Sequence, residues 1–234
     1  MDFETFEPVY EAILADFGFD RAGDERARDL LAGLLDAADA TPATPDRLNF
    51  AGQTVAVAGA ADCLESEASM AADADAVVAA SAAARRLRAA DIDVDCMVTD
   101  LDKTPDTAVR LAEFGTPVAV HAHGDNAMAV REYVPQFRVE NVLPTTQAAP
   151  TGPVYNTGGF TDGDRAAFLA DHCGAAELVF PGWAFEDTSV PVQKQRKLAW
   201  AKRLLYWLER RRGDRFAVLD GHRDSLDTDA LPVA

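Results

Sequence analysis

Apolar residues fall into two rhythms along this chain. Phe3, Phe6, Val9, Tyr10, Ile13 and Leu14 recur at three- and four-residue spacing, which predicts a helix over residues 2–17. Asp24 to Ala38 keeps that spacing through Leu30, Leu31, Leu34 and Leu35, and TPATP (41–45) breaks it. Beyond this helical segment (residues 1–48), short continuous apolar runs alternate with amphipathic stretches. The runs predict strands at 53–58, 76–80, 96–99, 117–121, 139–144 and 177–180. Helices are predicted between them at 62–72, 81–90 (with Ser81 as N-cap), 104–114, 126–134 and 162–173. A long closing helix, 193–212, turns Leu198, Ala201, Leu204, Leu205 and Leu208 inward.

Strands that alternate with helices predict an α/β fold, a Rossmann-like and mainly parallel sheet flanked by helices, with a small N-terminal helical lobe. The expected division is a helical segment at 1–48, an α/β catalytic domain at 49–215 and an acidic C-terminal tail at 216–234, mobile from Asp220. In such sheets ligands bind outside the carboxyl ends of the strands. The polar residues just past the predicted strands are Gly59, Asp100, Asp102, His121, His123, Asp125 and Asn126.

The formal charge of −17 disfavours nucleic acid and anionic membrane surfaces as partners. Arginine is plentiful, yet lysine occurs only at 103, 194, 197 and 202. Asp outnumbers Glu, and Ala and Val dominate the apolar set, a balance that resembles proteins of salt-accumulating halophiles. The three cysteines, Cys63, Cys96 and Cys173, form no CxxC pair and support neither a disulfide framework nor a zinc cluster. No apolar run is long enough to span a membrane and the amino terminus is acidic, so a cytoplasmic protein is expected.

Four segments carry candidate chemistry. In MVTDLDKT (97–104) an apolar strand delivers Asp100 and Asp102 two residues apart, so in extended backbone both carboxylates face one ion. Mg²⁺ takes one or two carboxylates together with substrate phosphates. The same residues fit the D-x-D-x-T of haloacid-dehalogenase-type phosphatases, but two strand–helix units precede them and the downstream acidic motif is missing. Nucleotide-sugar transferases also use an Asp-x-Asp, and so do diphosphokinases. HAHGDNA (121–127) opens a helix, and its Asp125 or Asn126 serves as cap, metal ligand or phosphate contact. YNTGGFTDGDRAA (155–167) places Gly158 and Gly159, which allow close backbone approach to a ligand, before Asp162, Asp164 and Arg165. Asp162 and Asp164 are also plain helix caps. VQKQRK (192–197) sets Lys194 and Lys197 in the first turns of the closing helix, either facing a nucleotide phosphate or forming a solvated stripe.

Taken together, VTDLD (98–102), HAHGDN (121–126) and TGGFTDGDRA (157–166) resemble the archaeal 6-hydroxymethyl-7,8-dihydropterin diphosphokinases, relatives of the thiamine diphosphokinase catalytic domain. The resemblance runs from Gly52 to Leu208. It departs from the family at Gly59-Ala60-Ala61-Asp62-Cys63-Leu64, where the phosphate turn commonly reads G-x-G-P-S-L. It implies diphosphate transfer from ATP to a dihydropterin alcohol with release of AMP, in folate or methanopterin biosynthesis. Asp100, Asp102 and Asp125 would serve Mg²⁺ and catalysis. Gly59, Asn126, Gly158, Gly159, Arg165, Lys194 and Lys197 would serve the nucleotide, and Asn156, Phe160 and Asp164 the pterin. A homodimer is implied by the thiamine relatives. The alternative is a metal-dependent nucleotide-sugar transferase built on the same acidic pair.

Overall fold

The computed structural model describes residues 1–233. Two helices lead, α1 (Phe3–Phe17) and α2 (Arg21–Asp36), each capped by an aspartate, Asp2 or Asp20, whose carboxylate accepts from a first-turn backbone N–H. Then follow β1 (Thr54–Ala58), α3 (Ala68–Ala72), β2 (Ala76–Ala80), α4 (Ala82–Ala89), β3 (Cys96–Thr99) and α5 (Pro105–Glu113). The chain continues through β4 (Val118–Ala122), α6 (Ala127–Tyr133), β5 (Val142–Thr146), α7 (Asp162–His172), β6 (Glu177–Val179) and α8 (Val192–Arg212).

All strand pairs are parallel, in the order β5-β4-β3-β2-β1-β6. Alternate strand residues point to opposite faces, and the two faces make two cores. Val55, Val57, Val78, Cys96, Val98, Ala119 and Leu143 pack with α1, α7 and α8. Ala56, Ala58, Val77, Ala79, Met97, Val118, Val120 and Val142 pack with α2 to α6. Each fully buried Val or Leu contributes about 1.5–3 kcal/mol, which explains why β2 is an unbroken apolar run and β1, β3 and β4 are nearly so. The leading helices are divided between the cores, α1 on one face and α2 on the other.

Several expectations change in detail. Helix at 62–72 shrinks to Ala68–Ala72, because residues 62–67 form turns. Ser81 makes no side-chain cap; its φ is +47°, a strained conformation for a residue with a Cβ, and its hydroxyl is buried without a partner. The fifth strand begins at Val142 rather than Val139, since residues 139–141 form a short 3₁₀ turn, and it runs on to Thr146. The segment from Asp220 packs against the fold: Leu231 is buried with Phe216 and Leu219, and Arg223 binds the buried Glu209 at 2.5 Å. No helix among the described residues is long and apolar enough to cross a membrane.

The strand order places the site. From β1 the chain steps outward one way to β5, then returns across the sheet to put β6 on the other side of β1. That reversal opens a crevice at the carboxyl ends of β1 and β6. Gly59 follows β1 there, and a Cβ on it would stand 2.4 Å from the Gly182 carbonyl oxygen, so only glycine lets the two strand ends close up.

Candidate active site

A cavity of about 420 Å³ lies along the carboxyl edge of the sheet. Every strand end supplies part of its wall: Gly59 after β1, Ser81 after β2, Asp100 and Asp102 after β3, His123 and Asp125 after β4, Gln147 after β5, and Gly182 and Trp183 after β6. The first turn of α7 adds Asp162 and Arg165, and α8 adds Lys194 and Lys197.

Asp100 and Asp102 are presented by a tight loop in which Leu101 and Thr104 both have positive φ, +67° and +47°. Such conformations cost about 1–3 kcal/mol each and persist where surrounding structure enforces them. The Asp102 N–H donates to Asp100 Oδ1 at 3.1 Å, and the Leu101 N–H donates to Thr99 Oγ1 at 2.9 Å. Beneath the loop, Asn126 Nδ2 donates to the carbonyls of Asp100 (2.7 Å) and His121 (2.6 Å), while its Oδ1 accepts from the His123 N–H at 2.9 Å. One buried amide thereby joins the ends of β3 and β4.

Asp162 completes the acidic group. One carboxylate oxygen from each of Asp100, Asp102 and Asp162 lies within 4.8 Å of the others. Three like charges this close disfavour one another's ionised forms. Burial alone would raise Asp100, but hydrogen bonds with His123 and Asp102 and the Arg165 charge outweigh it and hold this acid far below the usual range. His123 Nε2 lies 3.5 Å from Asp100 Oδ2. Asp102 is pushed up to about 6 by burial and by Asp100, and Asp162 up to about 8 by burial and by the same neighbour. Three carboxylates converging on one point are the donor set of a hard divalent cation, so the residues fit Mg²⁺.

Positive charge gathers around the same cavity. Lys103, Lys194 and Lys197, three of the four lysines in the chain, line it. Lys194 is lowered from its ordinary value by burial and by the charges of Lys103 and Lys197, as expected of an ammonium held where an anion would bind. The fourth, Lys202, lies 3.5 Å from Glu186. Arg165 is buried and spends Nη1 on Asp162 (3.1 Å) and Nη2 on Gln147 (3.0 Å).

The structure thus brings together Gly59, Asp100, Asp102, Asp125, Arg165, Lys194 and Lys197. Asp125 is exposed on the cavity wall and stands outside the three-carboxylate group. Asn126, Gly158 and Gly159 do not line the cavity. A Cβ on Gly159 would lie 2.6 Å from Arg165 Cα, so this glycine lets its loop close over the first turn of α7. Of the three pterin candidates, Phe160 lines the cavity. The Asn156 side chain is used on Ala148 and Gly158, and Asp164 accepts from the Phe160 and Thr161 N–H groups as a cap. Sequence reasoning missed Asp162 as a partner of the acidic pair, and the cavity-lining places of Lys103 and Trp183. The indole of Trp183 donates to the Val57 carbonyl and lies against Gly163, where a Cβ would meet the ring at 2.8 Å. The scarcity of lysine was the one signal that could have flagged Lys103.

The family model described as 6-hydroxymethylpterin diphosphokinase MptE-like matches residues 34–189. A 6-hydroxymethyl-7,8-dihydropterin pyrophosphokinase of Methanothermobacter thermautotrophicus is 35% identical over 228 residues, covering 90% of this chain and 96% of the relative. The protein of that name from Pyrococcus furiosus is 36% identical over 223 residues (89% of this chain, 95% of the relative). The one from Methanocaldococcus jannaschii is 29% identical over 234 residues (89% and 96%). The relatives match at nearly full length and the family model spans the segments that carry Gly59, Asp100, Asp102 and Asp162, so the chain belongs to the 6-hydroxymethylpterin diphosphokinase MptE-like family.

Proposed function

We propose that the protein transfers the β,γ-diphosphate of ATP to the hydroxymethyl oxygen of 6-hydroxymethyl-7,8-dihydropterin and releases AMP. The observation that carries this reading is the convergence of Asp100, Asp102 and Asp162 in one cavity with Lys103, Lys194 and Lys197, in a chain of this family. In the reaction the alcohol oxygen bonds to the β-phosphorus, the bridge from that phosphorus to the α-phosphate oxygen breaks, and AMP leaves with the bond electrons. Such a transfer needs alignment and charge compensation more than covalent help from the protein.

Asp100, Asp102 and Asp162 would hold Mg²⁺, which when bound offsets charge on the β- and γ-phosphates. The lysines neutralise the remaining phosphate charge, with Lys194 pre-desolvated for that contact. Arg165 holds Asp162 in place through Nη1. Asp125, on the same wall and outside the carboxylate group, is the base for the hydroxyl proton. Trp183 and Phe160 give the cavity its flat apolar walls, suited to a purine or a pterin. The product, a pterin diphosphate, would enter folate or methanopterin biosynthesis.

The test is incubation of pure protein in concentrated salt with Mg²⁺, ATP and 6-hydroxymethyl-7,8-dihydropterin. AMP formed one-for-one with pterin diphosphate, and lost in Asp100→Asn, is the expected result. ADP would mean attack at the γ-phosphorus and overturn the reading. Turnover of a sugar nucleotide instead of ATP would restore the transferase alternative, which rests on the Asp-x-Asp pair alone.

A further inference from the structure

Asp24 is a buried carboxylate in the first turn of α2, 3% exposed, with no cationic partner among the described residues. Its two oxygens accept from three separate parts of the fold. Tyr10 Oη of α1 donates to Oδ2 at 2.8 Å, Gln147 Nε2, just past β5, donates to the same oxygen at 2.8 Å, and the Gly124 N–H donates to Oδ1 at 2.7 Å. Burying a charge in this way is costly unless every hydrogen bond is made, and here the bonds lead toward the active site along two routes. Gln147 Oε1 accepts from Arg165 Nη2, and Arg165 Nη1 reaches Asp162. Gly124 sits in the turn between His123, which faces Asp100, and Asn126, which braces the Asp100 carbonyl.

The contact with that turn is direct. A Cβ on Gly124 would lie 3.3–3.5 Å from the backbone of Gly23 and Asp24, so two glycines allow the first turn of α2 to press backbone to backbone on the β4 turn. Asp24 lies outside the residues 34–189 that the family model matches.

We infer that Asp24 is a positioning residue for the three-carboxylate cation site: it fixes Asp162 through Gln147 and Arg165, and Asp100 through the Gly124 turn. The inference rests on the cation reading of Asp100, Asp102 and Asp162. Outer hydrogen-bond partners that orient metal ligands are worth about 10- to 100-fold in affinity or activity. Tyr10 is the internal control, since its hydroxyl adds a bond to Asp24 but lies on neither route.

The experiment is a titration of the ATP-free protein with Mn²⁺, followed by electron paramagnetic resonance, on wild type, Asp24→Asn, Gln147→Met and Tyr10→Phe, with thermal melts on all four. Asp24→Asn and Gln147→Met are expected to weaken Mn²⁺ binding about tenfold or more. Tyr10→Phe is expected to lower the melting temperature and leave Mn²⁺ affinity at the wild-type value. Gln147→Met keeps the Asp24 carboxylate but removes one of its three donors together with the Arg165 contact, so it tests the Gln147 route should Asp24→Asn fail to fold. Wild-type Mn²⁺ affinity in Asp24→Asn or in Gln147→Met, or a loss in Tyr10→Phe as large as theirs, would overturn the inference alone. A wild-type protein that binds no Mn²⁺ would overturn the cation reading, and this inference with it.

Discussion

Asp162, the first residue of α7, brings a carboxylate oxygen within 4.8 Å of one on Asp100, the residue that follows β3. The contact turns a pair of neighbouring acids into a three-sided donor set, and it separates two kinds of acid in the cavity.

Asp100→Asn, Asp102→Asn and Asp162→Asn should each lose Mg²⁺ affinity together with about a hundredfold or more in kcat, because each removes a ligand for the charge-compensating ion. Asp125→Asn should lose about a hundredfold in kcat as a missing base does, yet bind Mg²⁺ as wild type. Calorimetric titration with Mg²⁺ beside AMP-formation rates separates the two patterns. Asp162→Asn with unchanged Mg²⁺ binding would remove it from the site.

The same cluster sets a pH dependence. Burial and the charge of Asp100 push Asp102 up to about 6 and Asp162 up to about 8. An unfolded carboxylate titrates near 4, at about 3.9 for Asp. Between these values the folded, cation-free protein binds more protons than the unfolded chain, so these two groups lower stability as pH rises through that window. Mg²⁺ must displace the same protons, so its affinity rises with pH over the same range. Melts with chelator and with Mg²⁺ should show a larger Mg²⁺-induced rise in melting temperature at about pH 8.5 than at about pH 5.5. An equal rise at both would show that the acids are ionised without the cation.

Lysine placement predicts a contrast within one helix. Lys194→Met should raise the KM for ATP about tenfold, the loss of roughly one charge-assisted contact. Lys202→Met removes a cation that faces Glu186 and does not line the cavity, and should leave KM unchanged. Steady-state kinetics with ATP as the varied substrate measures both.

At the carboxyl end of the chain, Arg223 donates to both Glu209 oxygens, and the Phe216 N–H donates to one of them. Burial would raise Glu209, but Arg223 and the backbone donor outweigh it and keep the acid low. Arg223→Met strands a buried carboxylate and should cost about 3 kcal/mol in denaturant unfolding. A loss under about 0.5 kcal/mol, the ordinary surface value, would mean that this segment does not hold α8.

Most of the fold could be read from the chain because β1 to β5 are buried on both faces, and a strand buried that way is an unbroken apolar run such as AVVAA (76–80). Asp100 and Asp102 stood out because both follow directly on an apolar strand, although the extended backbone expected between them is a tight loop with Leu101 at φ +67°. Asp162 was read only as a cap, because its local sequence makes it a good one; its approach to Asp100 is a property of α7 crossing the sheet, which no local spacing records. Gly158 and Gly159 looked like a ligand-approach turn, and the close neighbours prove to be Phe168 for Gly158 and Arg165 for Gly159. Ser81 carried the residue type of a cap without its geometry, since its backbone angle differs from that of a capping residue.

The position of β6 beside β1 has a consequence for synthesis on the ribosome. The first five strands can pair as they emerge, but β1 keeps an open hydrogen-bonding edge until Glu177–Val179 has been made. Gly182, Trp183, Lys194 and Lys197 arrive later still, so a nascent chain that already holds Asp100 and Asp102 has neither the β1–β6 pairing nor the complete cavity. Completion of the cavity is therefore a late event in the life of each molecule, and a chain that stalls before β6 leaves β1 an edge open to pairing with another.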